Sequence, residues 1–271
     1  MTAFAVEGDG VTLRGDDDGD GPPVLMLHGL SATRRYVVHG STALQRDGFR
    51  VIAYDSRGHG ESSPAPSPAD YRYTQLAHDA IRVLDDRGVP RAALVGMSMG
   101  AAVAAAVALA HPGRVRALVA ITPAHLGAPT RDPARWERLA AGLESGGPDG
   151  FVSAYGDPGV PGGSVDLIRT VMRQRLSRHA WPAAVADALR ATPSGAAFPG
   201  EEALGAVACP TLVVGSHDRL DPDHPLRIAE RWAALIPGAR FLVEDDGESP
   251  LAWRGGTLSR VIGDFLEGVP A

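Results

Sequence analysis

Gly96-Met97-Ser98-Met99-Gly100 sets a serine between two glycines where an apolar run, Ala92-Ala93-Leu94-Val95, gives way to helix formers over residues 101–110. Strand, tight turn, helix is the setting in which a serine stands on a sharp bend with its hydroxyl exposed above a sheet. The flanking glycines remove the Cβ atoms that would block the turn. Such a hydroxyl is a weak nucleophile until a base takes its proton. The chain has no lysine, all 26 basic residues being arginine, so Schiff-base and Ser-Lys chemistry is excluded. Nine histidines remain as candidate bases. None forms a His-x-x-x-His pair on a predicted helix, and Cys209 is the single cysteine, so neither a metal site nor an intrachain disulfide is expected.

The elements that must position the serine follow from the hydropathy pattern. Phe4-Ala5-Val6 and Val11-Thr12-Leu13-Arg14 alternate across a Gly/Asp turn and predict an amino-terminal hairpin. The acidic stretch over residues 15–23 reads as a solvated loop. Val24-Leu25-Met26-Leu27, Arg50-Val51-Ile52-Ala53-Tyr54 and residues 115–121 are continuous apolar runs, expected as strands buried on both faces. Helices are predicted over residues 33–46 and 73–86 between them, and the alternation argues a parallel sheet covered by helices. Over residues 123–205 the rhythm breaks into helical stretches (133–143, 165–178, 182–190) separated by Gly/Pro turns, which reads as an insertion. Strands resume at residues 210–215 and 240–243, with helices at 225–235 and 257–266.

A net charge of −6 and the lack of a basic stripe argue against nucleic-acid binding. The longest apolar run is too short to cross a bilayer. No basic region precedes an apolar segment at the amino terminus, so a cytoplasmic protein acting on a small molecule, without membrane or nucleic-acid partners, is expected.

His28-Gly29 after a strand, Asp55-x-Arg57-Gly58-x-Gly60-x-Ser62, Gly96-x-Ser98-x-Gly100, a helical insertion, and a strand followed by Gly215-x-x-Asp218 resemble, in that order, the α/β-hydrolase superfamily. The likeness is to small bacterial esterase-like members with a helical cap. It implies a mostly parallel, doubly wound sheet of about eight strands, with residues 1–122 and 206–271 as core and 123–205 as cap. It also implies Ser98 as nucleophile, the amides of Leu30 and Met99 as oxyanion-hole donors, Asp218 as the acid, and no cofactor. Within this architecture His125 faces the nucleophile as a replacement base or substrate ligand, His28 is structural or binds substrate oxygen, and Trp136, Tyr155 and Trp181 line the pocket. His217 and His224 read as surface histidines. The Asp55-to-Ser62 loop has a structural job.

One position departs from the family pattern. Its general base, a histidine, belongs in a Gly-His-x-Pro-like segment after the last strand, where this chain has Gly247-Glu248-Ser249-Pro250. Imidazole, with a pKa near 6.5, suits proton removal from serine at neutral pH, whereas glutamate titrates near 4.3. Three functions are compatible with the residues. One is an acyl-transfer enzyme for esters, thioesters or lactones that uses a substitute base. The second is a lyase or isomerase of secondary metabolism, in which Glu248, with Asp218, moves a proton beside a carbonyl. The third is a ligand-binding protein that keeps the pocket without the chemistry.

Overall fold

The computed structural model describes residues 1–159, 164–218, 220–221, 223–245 and 253–270. The strands are β1 (Thr2–Gly8), β2 (Val11–Asp18), β3 (Pro23–Leu27), β4 (Arg50–Tyr54), β5 (Ala92–Met97), β6 (Val115–Ile121), β7 (Thr211–Val214) and β8 (Arg240–Leu242). The helices are α1 (Ala43–Arg46), α2 (Tyr73–Asp86), α3 (Met99–Ala110), α4 (Pro133–Tyr155), α5 (Val165–Leu176), α6 (Pro182–Ser194), α7 (Leu226–Leu235) and α8 (Gly255–Glu267).

Among the described residues the strands form one sheet in the order β1-β2-β4-β3-β5-β6-β7-β8, antiparallel at β1/β2 and β2/β4 and parallel from β4 onward. The apolar runs are continuous because both faces are covered. Leu25, Leu27, Ile52, Leu94, Leu118 and Val213 point into a core shared with α2, α3 and α7. Their strand neighbours Val24, Met26, Val51, Val95, Val119 and Val214 point to the other face, against Leu44 of α1 and Leu258, Ile262 and Leu266 of α8. The helices α4, α5 and α6, between β6 and β7, bury a separate cluster that includes Leu139, Leu143, Phe151, Leu176, Val185 and Leu189. None of the helices, among the described residues, is long and apolar enough to cross a membrane.

Three sequence expectations change. The acidic stretch after Arg14 is not a loop, because β2 continues to Asp18 by pairing with β4. Asp17 within it accepts from Arg50 at 2.9 and 2.7 Å and from Arg87 at 3.0 Å. The helix expected over residues 33–46 is broken. Asp55 takes the Arg34 backbone N–H at 2.8 Å and its guanidinium, and His39 and Gly40 have left-handed φ of 48° and 76°. In the insertion α4 runs on to Tyr155 through a kink at Gly147, φ 60°, where only glycine is unstrained.

The loop after β4 is tied down by a buried ion pair. Arg57, 1% exposed, donates to both carboxylate oxygens of Asp79, 0% exposed, at 2.7 and 2.8 Å. Removing one partner of such a pair leaves an uncompensated buried charge. Arg82 also donates to Asp79, so the uncompensated charge arises on removing the acid: Asp79→Ala, which strands Arg57, is expected to lower unfolding free energy by about 3–5 kcal/mol in urea titrations, and a loss under about 1 kcal/mol, the worth of an exposed pair, would contradict this account.

Candidate active site

The glycines of the elbow are required by close approach. A Cβ on Gly96 would run into the Gly100 carbonyl, and one on Gly100 would run into the carbonyl of Leu27 on the neighbouring strand. With α3 packed this tightly on β5 and β3, Ser98 takes the turn at φ 56° and ψ −115°, a strained conformation for a non-glycine residue. Its N–H is anchored on Ile121 O at 3.0 Å. The side chain is thereby aimed off the carboxyl edge of the sheet, where open α/β sheets bind ligands.

His224 meets it there. Ser98 Oγ donates to His224 Nε2 at 2.7 Å, and His224 Nδ1–H donates to Asp221 at 2.7 and 2.8 Å. This assignment of ring protons is the one in which all three groups are satisfied. Both His224 and Asp221 lie in the loop between β7 and α7. Burial disfavours a charged His224, but the charge and hydrogen bond of Asp221 outweigh it and raise the imidazole above its ordinary value. Burial likewise works against ionised Asp221, and again loses to His224, so the carboxyl sits below the usual range. The pair is an imidazole that takes up a proton readily and a carboxylate that stays ionised beside it.

The turn after β3 lies against the serine. A Cβ built on Gly29 would be 3.7 Å from Ser98 Oγ. The turn is held by Ala32 N–H on Gly29 O at 3.1 Å and by His28, whose Nδ1–H donates to Gly29 O at 2.8 Å. Among the described residues, the backbone N–H groups of Leu30 and Met99 donate to no protein acceptor. Met99 is the first residue of α3, so its N–H is one of the helix's orphan donors.

The remaining sequence candidates are placed as follows. Asp218 shapes the turn: its Oδ1 accepts Leu220 N–H at 2.8 Å, and burial, with Asp221 and Glu244 nearby, raises its carboxyl. The carboxylate on His224 is that of Asp221. Glu248 lies outside the described residues. His28 has both ring nitrogens engaged, Nε2 accepting Ser56 N–H at 2.9 Å, and is buried. His125 is spent, its Nδ1 accepting Gly127 N–H at 3.0 Å and its Nε2–H donating to the Tyr73 hydroxyl oxygen at 2.6 Å, and burial lowers it to about 4. Trp136 Nε1–H donates to Thr130 Oγ1 at 3.2 Å, Tyr155 O–H donates to Asp223 at 2.9 Å, and Trp181, 48% exposed, precedes α6.

His224 is not a surface histidine, contrary to the sequence expectation. Its side chain is 19% exposed. The sequence signal was Asp221-x-x-His224 in the loop leaving β7, a carboxylate and an imidazole three residues apart at the sheet edge that carries Ser98.

A family model described as alpha/beta hydrolase fold matches residues 22–254. A protein of Variovorax paradoxus (strain S110) named "Putative carbamate hydrolase RutD" is 30% identical over 256 residues, 93% of this chain and 94% of its own length. Among solved structures, a thermophilic esterase from Thermogutta terrifontis aligns with a TM-score of 0.78 at 26% identity over 98% of either chain. The enol-lactonase from Burkholderia xenovorans LB400 aligns with a TM-score of 0.78 at 23% identity over 98% of this chain and 100% of its own, a likeness of fold. The chain belongs to the α/β-hydrolase family. It is an enzyme of the hydrolase kind.

Behind the Gly29 turn lies a group of buried histidines. His59 is 5.2 Å from His28 and 5.5 Å from His179 between ring centroids. Burial lowers all three, His179 to about 4, and like-charge neighbours add to this at His59. The unfolded chain binds protons to these rings near pH 6.5 and the folded chain only at lower pH, so their contribution is present above 6.5 and is lost as pH falls. Urea midpoints are expected to drop steadily as pH falls from about 6.5 toward 4. A flat profile across that lower window would refute the neutral histidine cluster.

Proposed function

We propose that the protein is a serine-dependent hydrolase of small esters or lactones, with Ser98 as nucleophile, His224 as general base and Asp221 as the group that orients and stabilises it. The observation that carries this reading is the unbroken relay from Ser98 Oγ through His224 to Asp221, with contacts of 2.7 and 2.7–2.8 Å. The same constellation of roles defines serine hydrolases on unrelated folds, where it is recognised by geometry rather than by sequence position.

Ser98 Oγ attacks the substrate carbonyl carbon while its proton passes to His224 Nε2, and the carbonyl electrons move onto oxygen. The amides of Leu30 and Met99 receive that oxyanion, each such donor being worth about 3 kcal/mol in comparable sites. His224 then delivers its proton to the leaving alkoxide as the tetrahedral intermediate collapses to an acyl-serine. A water molecule, deprotonated by His224, attacks the acyl carbon. The second collapse releases the carboxylic acid and returns the proton to Ser98. Asp221 stays ionised throughout and holds Nδ1–H. Every step uses groups of this chain and water. The names borne by relatives, a carbamate hydrolase and an esterase, support attack on an activated carbonyl.

Two substitutions separate this reading from proton abstraction by Glu248. His224→Ala is expected to lower kcat on a simple aryl ester by at least about a thousandfold, whereas Glu248→Gln keeps most of it. The reverse pattern would overturn the proposal. Because only unprotonated His224 can act as base and Asp221 raises its pKa, kcat/KM should climb as pH rises through a limb above 6.5. Asp221→Asn should shift that limb to lower pH while cutting the rate by roughly a hundredfold or more. An unmoved limb would remove Asp221 from the relay.

A further inference from the structure

Asp223 lies in the same loop as Asp221 and His224, and the helical insertion holds it. Arg135 donates to Asp223 Oδ1 at 2.7 Å and Tyr155 O–H donates to Oδ2 at 2.9 Å, so both carboxylate oxygens are engaged. The two donors stand at opposite ends of α4, on either side of its kink at Gly147. The Arg135 guanidinium lies over the rings of Trp136 and Tyr155, 5.2 and 5.3 Å from their centroids, which fixes the donor before it meets the acid.

The backbone-to-backbone bonds between Asp218 and His224 are long. Asp221 N–H reaches Asp218 O at 3.2 Å and His224 N–H reaches Asp221 O at 3.3 Å, at the long end of the hydrogen-bond range. The contacts from α4 are shorter than these two and engage both carboxylate oxygens of Asp223, tying the loop to a separate element. Other ties from the insertion go elsewhere. His179 Nε2–H donates to Ser31 O at 3.1 Å, Ala180 N–H to Gly60 O at 2.8 Å and Thr192 Oγ1 to Tyr71 O at 2.7 Å.

We propose that Arg135 and Tyr155 are positioning residues, which by gripping Asp223 hold the loop bearing Asp221 and His224 at hydrogen-bond distance from Ser98. The inference rests on the reading of Ser98 and His224 as nucleophile and base. It assigns α4 a part in assembling the catalytic relay, in addition to covering the site. It also gives Tyr155 a task other than touching substrate.

The test compares Arg135→Met, Asp223→Asn, their double mutant and the milder Tyr155→Phe. Arg190→Met serves as control, since it removes ion pairs to Glu137 and Glu144 on the same helix without touching the loop. Each variant is assayed for ester turnover and for the rate of Ser98 labelling by a fluorophosphonate. Misplacing a catalytic group slightly costs rate steeply, so Arg135→Met and Asp223→Asn should each lower kcat and labelling about tenfold, with KM within about twofold of the parent. Tyr155→Phe should lose about threefold, and the double mutant should lose no more than either single one, because the two residues act as a unit. Arg190→Met should stay at parental rates. Undiminished kcat and labelling in Arg135→Met and Asp223→Asn, losses that multiply in the double mutant, or a rise in KM alone would overturn the positioning role. Parental protein that turns over ester with Ser98 unlabelled would sink the nucleophile reading and this inference with it.

Discussion

The site depends on how closely α3 approaches the strands beneath it. The carbonyls of Leu27 and Gly100 occupy the space that side chains at Gly100 and Gly96 would need, so the helix can start almost on top of the sheet. That proximity forces the connection into a single residue, and Ser98 absorbs the strain at φ 56°. Packing energy distributed over two cores holds the bend in place. The unfavourable backbone conformation thus persists because the rest of the domain over-determines it. One result of the same constraint is the placement of Met99, whose orphan N–H begins the helix beside the serine hydroxyl.

Around this bend the imidazoles divide into two populations. His28, His59, His125 and His179 are kept neutral by burial, and their ring nitrogens serve as fixed struts for the turns near Gly29, Arg57, Gly60 and Gly127. His224 is the exception, since Asp221 makes its protonated form accessible. Identical side chains therefore perform opposite tasks, and the difference is the presence of a carboxylate at Nδ1. A strut should not change charge near neutral pH, whereas a base must.

The bend and the sheet were legible because their causes are local. Glycines flanking a serine between an apolar strand and an alanine-rich helix encode the elbow within a dozen residues, and continuous apolar runs encode strands covered on both faces. What could not be read depended on distant partners. Asp16 and Asp17 look like solvated loop until Arg34, Arg50 and Arg87 are brought alongside. The imidazole beside Ser98 was missed for a related reason: Ser98 and His224 are 126 positions apart, and family order directs attention to the segment holding Glu248. Asp218 has the expected spacing after its strand, yet its carboxylate closes a turn and Asp221 meets the imidazole. The aromatic and histidine candidates of the insertion and its edge were plausible by type, but His125, Trp136 and Tyr155 are engaged by Tyr73, Thr130 and Asp223.

Asp221 and His224 are three residues apart in one loop, so a single segment, gripped by α4 at Asp223 between them, carries both. The relay then has one long-range degree of freedom, the distance from this preassembled pair to the serine, where an arrangement with the acid and base on different loops has two. Errors in folding, thermal displacement and sequence drift all reach the chemistry through that single coordinate. An acid and base joined in this way form a transferable cassette: any strand end at the correct edge of such a sheet that accepts the loop acquires both members at once, already in register with each other.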